Sequence, residues 1–208
     1  FTARIPAGAK PFAFMLGAGW GDREKGLEYL TRAATKGGPA RMEARSMLSS
    51  VYTLESRWDK ADAYLAELTA KYPRNPLYRM RRIYVNQRWG KLERALEMSD
   101  PNAPWFEKVP AGLKGIALAP ALYRSAECEL LLGRPQRAAA HLARLEQQKL
   151  PEALGQFALV RRGNLLDYQG KREQALELYR SVKHKHAQRL AKSFLEQPYP
   201  GGTKDVMP

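Results

Sequence analysis

The sequence contains almost no cysteine, no long hydrophobic run and comparatively few acidic residues. Cys128 is the single cysteine among 208 residues, which excludes an internal disulfide and a zinc site built from cysteines. No apolar run approaches the roughly 20 residues that a membrane-spanning helix needs. Lysine and arginine number 35 against 21 aspartate and glutamate residues, so the formal charge is +14. This surplus favours anionic partners without identifying them.

Catalytic signatures are missing as well. The sequence has no Walker loop, no dinucleotide-binding glycine motif, no serine-hydrolase elbow and no metalloprotease motif. Two neighbouring glutamates disfavour the thiolate of Cys128, so we interpret this cysteine as a structural thiol. His141, His184 and His186 lack the further ligands of a metal site. The sequence therefore predicts no catalytic residue, no metal site and no cofactor.

The composition is that of a globular protein, with 44% hydrophobic and 27% charged residues. The chain starts at Phe1 without a signal pattern, so either a leader has been removed or the sequence belongs to a longer protein. The compartment therefore stays open between the bacterial cytoplasm and the periplasm. Proline and glycine in 199–203 predict a loop or tail at the C-terminus.

What the sequence does contain is a repeat of small anchor residues within basic, amphipathic segments. The anchors are separated by 35, 34, 43 and 37 residues, and another small residue stands five positions before each. A glycine there suits a tight turn between two helices, and a small anchor lets those helices approach closely. One such hairpin must stack on the next to bury its apolar face. The anchors are Gly26, Ala61, Ala95, Ala138 and Ala175, and the turn residues are Gly21, Ser56, Gly90, Gly133 and Gly170.

The unit from Met42 to Asn75 resembles a tetratricopeptide repeat. The unit from Gln156 to about Arg189 is similar, and the resemblance covers most of the chain. It implies an all-α fold, a right-handed α-solenoid of helical hairpins with a C-terminal capping helix. The residues at signature positions are Leu48, Ser49, Tyr52, Ala61, Leu65 and Pro73 in the first unit, and Leu159, Gly163, Leu166, Gly170, Ala175 and Tyr179 in the second.

The 43-residue spacing predicts an insertion at 100–118, where prolines and glycines are expected to exclude a long helix. Trp105 and Phe106 lie in this insertion and are a candidate exposed anchor for a partner. The alternative is that they fasten the insertion to the solenoid. The predicted parts of a single domain over 1–208 are hairpins at about 11–37, 40–73, 76–99, 119–150 and 153–185, the capping helix 186–197 and a tail at 198–208.

The first helices of such an array line its concave surface. Arg81, Arg124 and Arg161 each precede an anchor by fourteen residues, so the register predicts three arginines in one inner row. Arginines in a groove attract carboxylates or phosphates. The alternative is that they pair with inner acids such as Glu127 and Asp167, or are solvated. The predicted groove residues are Arg81, Tyr84, Arg88, Tyr123, Arg124, Arg161, Asn164 and Tyr168.

The resemblance implies a non-enzymatic protein-interaction scaffold that holds a peptide or helix of a partner, acidic where it meets the arginines, in the concave groove. The lysine and asparagine set of the family's carboxylate clamp is not reproduced, since Ser46 and Ser50 occupy its first positions, so chaperone binding is not carried over. Two alternatives remain: binding of nucleic acid or another polyanion, and a repeat region of a larger protein whose active domain lies elsewhere. The spread of basic residues along the chain disfavours nucleic acid.

Overall fold

The computed structural model describes residues 23–36 and 38–201. All regular secondary structure within these two ranges is helical, which confirms the all-α prediction. The chain divides into two compact units, 1–68 and 69–208. The first helix predicted for the hairpin at 11–37, together with the turn residue Gly21, lies outside the described residues.

The helices of the described residues follow one another with short connections. They are α1 (Arg23–Lys36), α2 (Arg41–Leu54), α3 (Trp58–Lys71), α4 (Pro76–Arg88), α5 (Leu92–Ser99), α6 (Pro104–Glu107), α7 (Ala111–Leu131), α8 (Pro135–Glu146), α9 (Glu152–Tyr168), α10 (Arg172–Ser181) and α11 (Lys185–Glu196). The first unit contains α1, α2 and most of α3, and α3 continues into the second unit.

In the first unit α2 packs against α1 and against α3. The Nε atom of Arg45 donates a hydrogen bond to the carbonyl oxygen of Ala34 on α1 at 3.2 Å. Two turns further along α2, Tyr52 stacks on Tyr64 of α3 with ring centroids 6.0 Å apart. Leu65 of α3 is fully buried. The aromatic stack and the buried apolar face together hold α2 and α3 as one hairpin.

The second unit is built from three hairpins and a terminal helix. The hairpins are α4 with α5, α7 with α8, and α9 with α10. α7 packs on both α4 and α5, α9 packs on both α7 and α8, and α11 packs on both α9 and α10. Each first helix thus covers the apolar face that the preceding hairpin leaves open, which is the stacking of a helical-repeat solenoid.

The turns inside the hairpins share one backbone geometry. At Gly90, which has φ = +79°, the N–H donates to the carbonyl oxygen of Gln87 at 3.0 Å. The N–H of Lys91 donates to the carbonyl oxygen of Asn86 at 2.9 Å. These two bonds form the Schellman motif, which ends a helix at a residue with positive φ. The same bonds and a positive φ recur at Ser56, Gly133 and Gly170, so the predicted turn role of these four residues is confirmed.

Four predicted anchors are fully buried. Ala61, Ala95, Ala138 and Ala175 have no exposed surface, because each faces the first helix of its own hairpin. The fifth anchor, Gly26, is exposed, and beyond its own helix none of the described residues lies within 4 Å of the place that a Cβ would take. The helix that Gly26 is predicted to approach lies outside the described residues, so its role as an anchor stays a prediction.

The expectation that the insertion at 100–118 excludes a long helix is wrong. α6 is a single turn, but α7 begins inside the insertion and runs through Pro120. Pro110 stands at the N-cap of α7, where a proline removes no intrahelical hydrogen bond. The two glycines of the first turns each weaken a helix by only about 1 kcal/mol. Burial of Ala117 and Leu122 then holds the helix in place.

Trp105 is not an exposed anchor. Its side chain is only 8% exposed and packs against Val109 and Ala117. The indole Nε1 donates a hydrogen bond to the carbonyl oxygen of Asp100 at 3.0 Å. Phe106 is half-buried and meets the Trp105 ring edge-on, with centroids 5.3 Å apart. The pair fastens the insertion to the helices, because inward packing removes the apolar surface of two large rings from water.

Candidate partner-binding cavity

The first helices of the three hairpins in the second unit, α4, α7 and α9, contribute to a cavity of about 570 Å³. Four of the predicted groove residues line it, namely Tyr84 and Arg88 from α4, Arg124 from α7 and Arg161 from α9. Two further predicted residues, Tyr123 and Asn164, are buried and accept hydrogen bonds from Arg161 at 3.2 and 3.0 Å. The sequence register thus brings six of the eight predicted residues to one site.

Arg81 and Tyr168 do not line the cavity. Arg88 lies two turns further along α4 than Arg81 and lines the cavity, as the spacing predicted for Arg81. Arg81 is half-buried outside the cavity, and this burial is the main cause that lowers its pKa. The hydroxyl of Tyr168 donates to the carbonyl oxygen of Gly133 at 3.2 Å. The predicted row of three arginines therefore becomes Arg88, Arg124 and Arg161 at this cavity.

Glu127 of α7 is the centre of a buried ion-pair cluster. Nη1 of Arg124 donates to Oε2 of Glu127 at 2.7 Å, and Nη2 of Arg161 donates to Oε1. The same Nη1 of Arg124 also donates to Oε1 of Gln87 at 3.2 Å, which ties α4 to the cluster. The alternative that inner acids pair with these arginines is thus correct for Glu127. Gln87 was not predicted as a site residue, because its side chain is uncharged and the prediction followed the spacing of arginines.

The electrostatics of the cluster follow from its burial. Burial alone raises the pKa of Glu127, but Arg161 and Arg124 act against it, with hydrogen bonds from Gln87 and Arg124, and lower that pKa to about 2. Burial likewise disfavours the charge on Arg161, and Glu127 offsets this and keeps the pKa of Arg161 above its ordinary value. All three groups are therefore charged at neutral pH.

A second polar chain continues from Arg161 into α10. Nδ2 of Asn164 donates to the hydroxyl oxygen of Tyr179 at 3.0 Å, and that hydroxyl donates to Oδ2 of Asp167 at 2.9 Å. Nη1 of Arg172 donates to both carboxylate oxygens of Asp167, at 3.1 and 3.0 Å. Asp167 thus pairs with Arg172 instead of an arginine of the groove. This series of hydrogen bonds fixes the orientation of Arg161, because Asn164, which accepts from Arg161, is itself bonded to Tyr179.

Arg124 is the arginine of the cluster that a ligand can reach. Its side chain is 30% exposed, whereas that of Arg161 is 10% exposed. The guanidinium carbon of Arg124 lies 5.0 Å from the ring centroid of Tyr84 and 5.4 Å from that of Tyr123. Contacts of a cation with two aromatic faces hold the guanidinium in place while its planar set of donors faces the cavity.

The C-terminal segment closes one side of the cavity. Residues 197–200 line it, and Gln197 has an extended backbone with φ = −135° and ψ = 140°. Tyr199 is buried against Phe194, with ring centroids 5.6 Å apart. The N–H of Tyr199 donates to Oδ2 of Asp167 at 2.9 Å. The sequence analysis predicts this segment only as a tail. The sequence signal that it packs against the helices is Tyr199, an aromatic residue between two prolines.

The cavity has an apolar side and a cationic side. Leu130, Leu131, Leu190 and Phe194 supply apolar surface. The charged lining residues are Arg88, Arg124, Arg161 and Glu127, so positive charge exceeds negative charge. Within the described ranges no group of histidine, cysteine and acidic residues is arranged to hold a metal ion, and no helix has the length and apolar character to cross a membrane. The arrangement suits binding of an anionic group beside apolar surface.

The comparisons with known proteins agree with the stacking. The family model for the tetratricopeptide repeat matches residues 120–148 and 157–189, which contain most of α7 and α9 and all of α8 and α10. Repeats of this family generally mediate protein–protein interaction, and its members are typically non-enzymatic scaffolds. The comparison with curated proteins and the comparison with solved structures found no match.

Proposed function

We propose that this chain, which is a tetratricopeptide-repeat protein, acts as a non-enzymatic interaction module and binds an extended acidic segment of a partner protein in the cavity of its second unit. One observation carries the proposal. The cavity places three arginines and a single glutamate beside apolar surface. A ligand that carries a carboxylate next to apolar side chains complements both sides of this cavity.

The positive charge supports an acidic partner. Glu127 already pairs with Arg124 and Arg161, so an approaching carboxylate meets an excess of guanidinium groups. Arg124 offers the more exposed of the two paired guanidiniums, and it contacts two aromatic rings. Because the guanidinium is already partly desolvated and fixed, binding an anion there costs less ordering entropy than at a mobile surface arginine.

The C-terminal segment supports an extended ligand. Residues 197–200 already lie along the cavity, and the backbone of Tyr199 is hydrogen-bonded to Asp167 on α9. The inner surface of these repeats therefore accommodates an extended backbone with an inserted aromatic side chain. A partner segment that continues along α4 and α7 lies next to this built-in one and contacts Arg88 and Arg124.

Fluorescence anisotropy with three labelled peptides tests the proposal. The peptides share one flexible sequence with leucines and differ only in carrying glutamate, glutamine or lysine at the same positions. We expect the full chain to bind the glutamate peptide at least about tenfold more tightly than the glutamine peptide. We expect the Arg124→Gln variant, which keeps hydrogen-bonding capacity toward Glu127, to lose most of this preference.

The matched control is Arg180→Gln, which removes the same charge from an exposed position in the last turn of α10. If both variants weaken binding equally, the net charge of the chain attracts the peptide and the cavity does not. Duplex DNA at low and high salt completes the test. Tight DNA binding that falls steeply with salt and is unchanged by Arg124→Gln argues for the polyanion alternative.

A further inference from the structure

A second concave site lies away from the arginine cavity, on the edge of the second unit. It has a volume of about 620 Å³ and is formed by the connection 71–77 between α3 and α4, together with Leu113 and Ile116 near the start of α7. We call it the edge pocket. Its volume falls within the roughly 300–1,000 Å³ that is usual for ligand-binding sites.

The edge pocket gathers large apolar side chains that are exposed to water. Leu77 is 59% exposed and Ile116 is 57% exposed, while Tyr72 and Leu113 are each 38% exposed. Single exposed apolar residues are ordinary on protein surfaces, but four that converge on one concave surface mark an interaction site. In α7 itself all residues of 111–116 are exposed, and burial begins only at Ala117. The start of this helix therefore presents an apolar face that the described chain leaves uncovered.

The walls of the edge pocket are rigid. Pro73 and Pro76 fix the backbone of the connection, and Oδ1 of Asn75 accepts a hydrogen bond from the N–H of Leu77 at 3.0 Å, which caps α4. Tyr72 contacts Tyr78 of α4 with ring centroids 5.9 Å apart. A preformed site loses little conformational entropy when a partner docks.

The charges around the edge pocket have one sign. Lys71 and Arg74 are its charged lining residues. A partner surface with apolar side chains and acidic flanks complements this arrangement. An isologous contact between two copies of the chain sets Lys71 and Arg74 against identical cations, which disfavours self-association. A flat lipid bilayer does not fill a concave site, which disfavours membrane binding.

We infer that the edge pocket binds an amphipathic helix of a partner protein, with apolar side chains inserted and acidic side chains facing Lys71 and Arg74. A helix is the fitting shape because Leu113 and Ile116 are three residues apart and form one ridge on α7, against which a second helix packs. A helix laid into an apolar groove is a common mode of peptide recognition. This inference rests on the edge pocket alone and does not depend on the arginine cavity.

Isothermal titration calorimetry with a pair of helical peptides tests the inference. Both peptides carry leucines on one face, and their flanks carry glutamates in one peptide and lysines in the other. We expect the full chain to bind the glutamate peptide and not the lysine peptide. We expect the Leu113→Ser, Ile116→Ser double variant to bind at least about tenfold more weakly. These side chains are exposed, so the variant is expected to fold like the parent chain.

Two control variants separate this site from others. Leu54→Ser removes an exposed leucine of the first unit, and Arg180→Gln removes an exposed cation of α10 that lies in neither site. We expect both to bind the glutamate helix like the parent chain. The inference is overturned if the parent chain binds both peptides equally or does not bind the glutamate helix. It is also overturned if the double variant binds the glutamate helix as tightly as the parent chain does.

The competing occupants are tested directly with the same double variant. Sedimentation velocity reports self-association, and flotation with phosphatidylcholine vesicles containing phosphatidylserine reports membrane binding. We expect the parent chain to be negative in both assays. Self-association or vesicle binding that the double variant abolishes assigns the edge pocket to a second copy or to a lipid surface and overturns the inference.

Discussion

Arg161 and Glu127 form an ion pair between consecutive hairpins, and the two residues stand 34 positions apart in the sequence. Arg161 is the counterpart of Arg124 in the next hairpin, and Glu127 stands about one turn after Arg124 on the same face of α7. The pair is largely buried, and Arg124 shares the same carboxylate. A charged cluster thus joins α7 to α9 at the surface that we assign to partner binding.

Glu127→Gln is expected to destabilise the chain by about 3–5 kcal/mol, because it leaves two guanidiniums without their carboxylate in a buried site. Urea unfolding followed by circular dichroism measures the change. Glu146→Gln is the matched control, since Glu146 pairs with Arg162 at 3.0 Å with both side chains about half exposed. That variant is expected to cost less than about 1 kcal/mol. Similar values for the two variants are incompatible with a buried cluster.

The stability that Glu127 provides is expected to depend on pH. The pKa of Glu127 is about 2 in the folded chain, below its ordinary value of 4.5. A lowered pKa stabilises the folded state above the ordinary value, and that stabilisation disappears as the pH falls from about 4.5 to about 2. The difference in unfolding free energy between the parent chain and Glu127→Gln should therefore narrow over this range. A constant difference across the range argues that Glu127 is not ionised in the folded protein.

Two glycines of α9 are expected to respond in opposite directions to alanine. A Cβ at Gly163 lies 2.3 Å from Cε1 of Tyr179, so Gly163→Ala must push the α10 ring out of its buried place. We expect a loss of about 2 kcal/mol or more, within the range of overpacking. At Gly155 a Cβ meets none of the described residues within 4 Å beyond its own helix, so helix propensity alone should let Gly155→Ala stabilise the chain by about 0.5–1 kcal/mol. Thermal unfolding of both variants distinguishes close helix packing at Gly163 from a general helix effect.

Ser56 holds a backbone conformation that suits glycine, with φ = 57°. Ser56→Gly is expected to raise the unfolding free energy by up to about 1 kcal/mol, because the left-handed conformation strains a residue with a Cβ. The same substitution at the exposed helical residue Ser50 of α2 should lower it by about 0.5 kcal/mol. Chemical denaturation gives both values. If Ser50→Gly and Ser56→Gly change stability with the same sign, backbone strain at Ser56 is absent.

The repeat was readable from the sequence because its determinants are local. Gly90 sits where a short turn needs positive φ, and Ala95 follows five residues later where the second helix must approach the first. Both requirements act through residue size, which the sequence displays. Arg124 and Arg161 were likewise placed by their common offset of fourteen residues before an anchor, since equal positions in successive hairpins lie on the same inner face.

The features that sequence analysis missed depend on distant contacts. The first turns of α7 contain glycines that argue against a helix, and the packing of Trp105 against Ala117 outweighs them. The place of Tyr199 depends on a hydrogen bond to Asp167, 32 residues earlier. Propensity and periodicity report the neighbours of a residue along the chain, so they do not reveal contacts of this kind.

An NMR titration tests the binding account most directly. The full chain, labelled with ¹⁵N, is titrated with the flexible glutamate peptide of the anisotropy experiment. The side-chain Nε–Hε signals of the arginines and the backbone signals are followed. The account predicts that Arg124, Arg88 and the backbone of Tyr84 shift together and saturate, while Arg180 stays unchanged. Shifts spread evenly over exposed arginines, with those at Arg124 no larger than those at Arg180, contradict a partner site in this cavity.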